Sequence, residues 1–391
     1  GMHDIVKAVK NGTLKEEMLD QRLDELLKVI FDTHQATADG KGTSFDIEAH
    51  HALARKAAEQ SIVLLKNDGG ILPLAKGTKV AVIGDFAKTP RYQGAGSSLV
   101  NPTKTPETIL ECIKDSGLTM TAYAQGYIRN SKPNAQLTEE AKSAAAAADA
   151  VLVFAGLDEI SESEGVDRTH MRMTQAQNEL IEAVCAANEN VVVVLSAGSA
   201  VEMPWLAKVK GLLHGYLGGQ AGASAMLSVL TGKVCPSGKL NETYPYRYED
   251  VPSYRYYPSK ERSSEYRESL YVGYRYYSTV GRQVQFPFGY GLSYTTFAYD
   301  NLTVEGDKVT FTVKNTGTVD GAEIAQLYVG KESQTVFRPV RELKGFAKVF
   351  LAAGEERQVT IPLDDKAFRF YDVRTNTWEI ERGSYVISVG S

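Results

Sequence analysis

Residues 151–177, VLVFAGLDEISESEGVDRTHMRMTQAQ, pass from an unbroken apolar run through a long acidic loop into a helical pattern. Val151–Ala155 is apolar at every position. A short run of this kind, bounded by polar residues, reads as a strand buried on both faces, which belongs in a parallel sheet covered by helices. The loop carries Glu159, Glu162 and Glu164, then Asp167-Arg168, and the helical pattern resumes near Thr174. In an open α/β sheet, ligands bind outside the carboxyl ends of the strands. The loop is therefore where an acid catalyst would sit. Its local composition equally fits a solvated surface loop, and the rest of the chain must separate the two.

Outward from that stretch the same alternation continues. Strands are expected at Lys79–Ile83, Thr119–Tyr123, Val191–Ser196 and Gly211–Gly215. Helices are expected over Glu48–Leu65, Pro106–Ser116, Thr138–Ala148, Thr174–Asn188 and Ala221–Thr231. Runs such as Val191-Val-Val-Val-Leu195 make residues 45–250 an α/β sandwich, a mostly parallel sheet between helix layers. Loops rich in small residues leave the strands at Gly84–Lys88 and Gln93–Ser98, at Ser196–Ala200 and at Tyr216–Gly222, where backbone can approach a ligand closely. Before this domain, residues 13–30 form an amphipathic helix. Thr13 and Glu16 are its expected capping box, and Leu19, Leu23, Leu26, Leu27 and Ile30 mark its apolar face. A Gly-rich connection follows over Ala38–Ser44. Residues 1–44 are expected to be the last helix of a missing domain plus a linker.

Residues 251–300 are rich in tyrosine, with Tyr254, Tyr256, Tyr257, Tyr271, Tyr274, Tyr276 and Tyr277. They are expected to form an ordered strap packed between domains, because each ring carries much burial area. A choline- or sugar-stacking platform is the alternative. From 301 the apolar period becomes two, as in Val309–Val313, Glu323–Val329, Leu343–Phe350, Arg357–Pro362, Phe368–Asp372 and Ser384–Val389. Short strands separated by turns over residues 301–391 indicate an all-β fibronectin type III-like sandwich, with no cysteine pair in it.

At 391 residues the chain suggests two or three domains. A net charge of −5 excludes nucleic acid as the main partner. No segment approaches the roughly 20 apolar residues needed to span a bilayer. The absence of a leader pattern and of disulfide spacing favours a cytoplasmic setting. Cys112 and Cys185 fall in helical patterns as small buried residues. Neither metal nor cofactor is expected. His50 and His51 are adjacent on a helix and point about 100° apart. Gly94-Ala-Gly96 lies well beyond its strand, and Leu99 takes the place of the third glycine of a dinucleotide fingerprint. No G-x-S-x-G elbow occurs.

Four stretches, in this order, resemble the C-terminal part of glycoside hydrolase family 3 enzymes, the β-glucosidases and their relatives. They are Gln60–Asp68 with Ile71–Leu74; Glu164-Gly-Val-Asp-Arg168; Gly215–Gln220 through Pro236–Leu240 to Tyr244-Pro245; and Val272–Tyr277 with Phe286–Thr295. Arg341–Phe346 and Trp378 before Gly383-Ser-Tyr385 likewise resemble that family's fibronectin-like module. The resemblance implies a (β/α)8 barrel ahead of the α/β sandwich, an Asp nucleophile on that barrel, and retaining hydrolysis of β-linked glycosides. It implies Glu164 as the acid/base, with Glu162 as second choice should the loop be registered two residues differently. Asp167, Arg168, Ser97 and Ser98 become the candidate substrate-binding residues. The expected partners are a β-linked oligosaccharide or glycoside, and the missing barrel or a second copy of the chain. No S-D-W motif and no barrel occur, so the nucleophile is absent and the chain alone is expected to be inactive. The competing reading is a catalytically silent carbohydrate-binding or interaction protein derived from the same family.

Overall fold

The computed structural model describes residues 1–38, 40, 44–259 and 261–391. The chain divides into two compact units, residues 1–49 and 50–391. In the first, α1 (Met2–Lys10) precedes α2 (Glu16–Ala38). The expected capping box does not form, because the Thr13 hydroxyl donates to the Ala8 carbonyl at the end of α1 (3.0 Å). No residue of α2 is buried. Its apolar stripe is present but uncovered, with Leu23, Leu26 and Ile30 exposed. The Gly-rich connection read at 38–44 falls mainly outside the described residues.

Helix α3 (Ile47–Ser61) ends earlier than its apolar pattern suggests, and Val63–Asn67 becomes strand β1. Ile62-Val-Leu-Leu65 is an apolar run too short for periodicity to assign, and sheet pairing decides it. Then follow β2 (Lys79–Ile83), the short helix α4 (Ile109–Cys112), β3 (Thr119–Ala124), α5 (Ala135–Ala146), β4 (Ala150–Gly156), α6 (Gln175–Ala187), β5 (Val191–Ser196), β6 (Gly211–His214) and α7 (Gly222–Leu230). These strands form one six-stranded sheet in the order β1-β6-β5-β4-β2-β3. All neighbours are parallel except β1, which runs antiparallel to β6 at one edge.

Every residue of β4 and β5 is buried, and alternate residues enter different cores. Val151, Val153, Val191 and Val193 pack with Ala141 of α5 and with Leu180, Ile181 and Val184 of α6. Leu152, Phe154, Val192 and Val194 pack on the opposite face with Ile109 of α4 and Ala225, Val229 and Leu230 of α7. Helix α4, which links β2 to β3, and helix α5, which links β3 back to β4, thus cover opposite faces. The chain reverses its winding between β2 and β4, and such a reversal opens a crevice at the carboxyl ends of the two strands.

After α7, the helix α8 (Tyr274–Val280) lies in the tyrosine-rich stretch. That stretch is only half as expected. Tyr277 is buried and its hydroxyl donates to the Asp250 carbonyl, but Tyr254, Tyr256, Tyr257 and Tyr266 are exposed. The remaining strands are β7 (Phe297–Glu305), β8 (Lys308–Asn315), β9 (Gly321–Lys331), β10 (Glu342–Leu351), β11 (Glu356–Pro362), β12 (Arg369–Asp372), β13 (Thr377–Ile380) and β14 (Tyr385–Gly390). They pair as the antiparallel sheets β10-β9-β14 and β11-β8-β7 plus the β12-β13 hairpin. Val309, Phe311 and Val313 of β8 meet Ala325, Leu327 and Val329 of β9 in the core between the two larger sheets. The fold is an α/β sandwich followed by an all-β sandwich. No helix among the described residues is long and apolar enough to cross a membrane.

Candidate active site

The crevice between β2 and β4 gathers the loops that leave both strands. Gly84 closes β2 with φ +116°, where an added Cβ would meet the Phe154 carbonyl oxygen at 2.1 Å. Only glycine lets the two strand exits lie this close. Beyond Gly84 the chain runs out to Gly96-Ser97-Ser98, and beyond β4 it enters the acidic loop.

The three glutamates of that loop have different surroundings. Glu159 receives Arg129 Nη1 at 2.9 Å, and Arg129 Nε reaches Asp85 at 2.7 Å. Glu162 accepts the Gly198 N–H (2.8 Å) and the Ser199 hydroxyl (2.6 Å), both on the loop leaving β5. The buried Arg91 also donates to the Glu162 carbonyl (3.1 Å) and approaches its carboxylate at 3.9 Å. Glu162 is thus a pin between loops. Glu164 is exposed, and its backbone N–H donates to the Ala95 carbonyl (3.1 Å). Its carboxylate accepts the Ser97 N–H. The Ser97 hydroxyl and N–H together hold this carboxyl below the usual carboxylate range. Gly96, at φ +92°, makes room for the contact, since a Cβ there would fall 2.6 Å from that of Glu164.

The other sequence-selected residues divide between these groups. Arg168 donates through Nη1 to the Ser199 hydroxyl (2.7 Å) and the Ala200 carbonyl (3.1 Å), so Arg168, Ser199 and Glu162 form one chain. Burial pulls the Arg168 guanidinium below its ordinary value, against the favourable field of Glu162. Asp167 accepts a hydrogen bond from the exposed Tyr257 hydroxyl. Ser98 turns back toward the Ala95 carbonyl in its own loop and makes no hydrogen bond to Glu164 among the described residues.

Several neighbours of the site carry no local mark in the sequence. Arg91 and Ser199 lie on loops distant in sequence from Glu162. Glu242 lies between buried Leu240 and the buried pair Thr243 and Tyr244 in a stretch that is neither strand nor helix, so no period marks it. Its carboxyl is pushed up to about 7, chiefly by burial. His214 is buried and shares a 2.7 Å hydrogen bond with the Tyr244 hydroxyl; burial lowers its pKa to about 4, so the imidazole is neutral. No group of three or more His, Cys, Asp or Glu suited to a metal ion occurs among the described residues. Burial raises the thiols of Cys112 and Cys185 to about 12 and about 11, as fits unreactive packed cysteines.

Residues 62–294 match the model of the glycosyl hydrolase family 3 C-terminal domain, and residues 323–391 match that of a fibronectin type III-like domain. Over 396 residues the chain is 47% identical to the thermostable β-glucosidase B of Acetivibrio thermocellus, covering 99% of itself and 52% of that protein. It is 43% identical to an exo-α-(1→6)-L-arabinopyranosidase of Bifidobacterium breve, covering 99% and 53%. The crystal structure of a family 3 β-glucosidase from Bifidobacterium adolescentis superposes with a TM-score of 0.91 at 44% identity, over 99% of this chain and 58% of that one. The chain spans about half the length of the curated relatives it matches. By these matches and by its two successive sandwiches, the chain belongs to glycoside hydrolase family 3 and corresponds to the C-terminal part of such an enzyme.

Proposed function

We propose that this chain is the acid/base-bearing portion of a retaining β-glycosidase of β-glucosidase type, with Glu164 as the proton donor. One observation carries the reading. Of the three glutamates in the loop, Glu164 alone stands exposed at the β2–β4 crevice with no ion pair among the described residues, while Arg129 holds Glu159 and Gly198, Ser199 and Arg91 hold Glu162. A group that must give up and regain a proton needs access to substrate and freedom from a permanent counter-charge.

In the proposed reaction, a carboxylate on another domain attacks the anomeric carbon while protonated Glu164 gives its proton to the departing glycosidic oxygen. The glycosyl-enzyme forms and the aglycone leaves as an alcohol. Glu164, now a carboxylate, takes a proton from the water that attacks the same carbon, and the nucleophile departs unchanged. The two carboxyls must stand about 5–5.5 Å apart. Glu164 supplies one of them, so the 391 residues by themselves are not expected to turn over substrate. The uncovered stripe of Leu23, Leu26 and Ile30 on α2 fits a helix covered by a further domain or by a second copy.

The test joins this chain to the N-terminal portion of the Acetivibrio thermocellus relative. The fusion should hydrolyse an aryl β-glucoside with retention, and the chain alone should not. A folded fusion without turnover would favour a silent carbohydrate-binding protein. Turnover by the chain alone would overturn the reading.

A further inference from the structure

Glu164 sits on a stretch with no packing of its own. Residues 164–167 are all exposed. Gly165 adopts φ +75°, and nothing lies within 4 Å of where a Cβ would stand. What holds the two ends therefore sets where this stretch lies. On the near side, Glu162 accepts the Gly198 N–H and the Ser199 hydroxyl. On the far side, Arg168 donates to the same Ser199 hydroxyl and to the Ala200 carbonyl. Both ends are thus fastened to one short segment at the exit of β5, and that segment is firm, since Ala197, Ala200 and Val201 are buried. The other bonds of the stretch go to Ala95 and Tyr257, which lie on loops themselves. Beyond Arg168 the next backbone fastening is the Met171 carbonyl, which accepts the Glu202 N–H at 2.9 Å.

Arg168 also acts on the near end. A guanidinium can only donate, and a serine hydroxyl carries one proton. With Arg168 donating to Ser199, that proton is left for Glu162, so Arg168 fixes the direction of the bond that holds the other side. Without Arg168 the unfastened run would grow from residues 163–167 to residues 163–170, and every residue released regains conformational freedom. A proton donor works only within hydrogen-bond reach of the leaving atom. A misplacement of about 1 Å can cost about 10²-fold. Removing Arg168 leaves Glu162 bonded to Gly198 and Arg91, so the disturbance stays within the stretch that carries Glu164. We propose that Arg168 is a positioning residue for Glu164, closing the far end of the acidic loop on Ser199 and Ala200 so that the Glu164 carboxyl stays at the β2–β4 crevice. This rests on the acid/base reading of Glu164, and it moves Arg168 from the substrate contact that the family resemblance offered to a role exerted through Glu164.

Kinetics of the fusion with the Acetivibrio thermocellus N-terminal portion test the role. Arg168→Met should lower kcat for an alkyl β-glucoside about tenfold, a part of what a general acid contributes, and leave KM within about twofold. The first step with a dinitrophenyl glucoside, which needs no proton, should change by less than about twofold. In a Glu164→Ala background, Arg168→Met should cost nothing further on the alkyl substrate, because no proton donor is left to misplace. Arg168→Lys keeps the charge and a donor. It should show the same pattern at smaller amplitude, which covers the case in which Arg168→Met fails to fold. In the full chain alone, the heteronuclear NOE of the Gly165 and Val166 amides should fall on either substitution. Equal losses on both substrates, a raised KM, a loss that multiplies in the double variant, or an unchanged NOE would overturn the proposal. If Glu164→Ala itself shows no leaving-group dependence, the acid/base reading falls and the proposal with it. The NOE, read without substrate, tells that failure from a loop that Arg168 does not hold.

Discussion

Ser97 donates its backbone N–H to the carboxylate of Glu164, joining the loop that leaves β2 to the loop that leaves β4. Donors aimed at a carboxylate favour its ionised form, and here they hold Glu164 below the ordinary range. A working general acid needs the opposite shift, which an apposed carboxylate or an apolar wall supplies. In the chain alone, a carbon-detected NMR titration should therefore find Glu164 more acidic than an ordinary glutamate. Ser97→Ala removes the hydroxyl and should move the value up, toward the ordinary range. A Glu164 already raised in the wild-type chain would mean that the site is more complete than proposed.

Glu162 should matter for stability and positioning, not for proton transfer. Its carboxylate ties the acidic loop to Gly198 and Ser199. Glu162→Ala leaves those donors unpaired and Arg91 without its nearest carboxylate, at a cost of roughly 1–3 kcal/mol. Urea denaturation reads this directly. A midpoint equal to that of the wild type would show that the pin carries no load.

The parallel core was legible because β-branched runs leave few alternatives. The bounds expected for β2 and β5 coincide with those observed, and α6, expected from Thr174, starts one residue later with Thr174 as its cap. Strand β1 was not legible, since Ile62–Leu65 extends the apolar pattern of α3 and only pairing with β6 reveals a strand. Thr13 had a capping sequence but spends its hydroxyl on the preceding helix. At the site, local sequence offered Glu159, Glu162 and Glu164 alike, and only the family resemblance put Glu164 first and Glu162 second. Telling pin from free carboxylate needs Gly198, Ser199 and Arg91, whose nearness exists only in three dimensions. The tyrosine-rich stretch misled in its first half, because composition cannot show which rings find a surface.

Stability should fall as Glu242 ionises. Its carboxyl has an ordinary value of 4.5 and is raised to about 7 in the fold, so the folded state holds the proton more tightly than the unfolded one. The contribution is fully present below pH 4.5 and is lost as pH rises through about 7. At about 1.4 kcal/mol per pKa unit, it is on the order of 3 kcal/mol. Urea unfolding between pH 4 and 8 should show wild type losing stability relative to Glu242→Gln across that window. Parallel curves would sink the assignment.

The two sandwiches should unfold together. Lys239, near the end of the α/β sandwich, pairs at 3.4 Å with Glu323 of β9, which is 2% exposed and also accepts the Tyr299 hydroxyl at 2.9 Å. Glu323→Ala leaves a largely buried ammonium without its counter-charge, although it still donates to the Gly291 carbonyl at 2.9 Å, and breaking such a pair typically costs about 3–5 kcal/mol. Calorimetry of the wild type should give one transition for these sandwiches. In the variant, the transition should move to lower temperature or split. An unshifted transition would show that the pair does not couple them.

The acid/base role makes its sharpest prediction through leaving groups. In the active fusion, Glu164→Ala should reduce hydrolysis of alkyl glucosides by about 10²–10⁴-fold, since an alkoxide departs slowly without protonation. A dinitrophenyl glucoside needs no such help, so its first step should proceed nearly unchanged and the glycosyl-enzyme should accumulate, visible as a burst. Water attacks that intermediate slowly without a base. Azide requires none and should restore turnover, leaving as product the glucosyl azide of retained configuration. Glu162→Ala should lower both substrates alike, because it disturbs the loop and not the proton. A steep leaving-group dependence with azide rescue in Glu162→Ala, and not in Glu164→Ala, would move the assignment to Glu162.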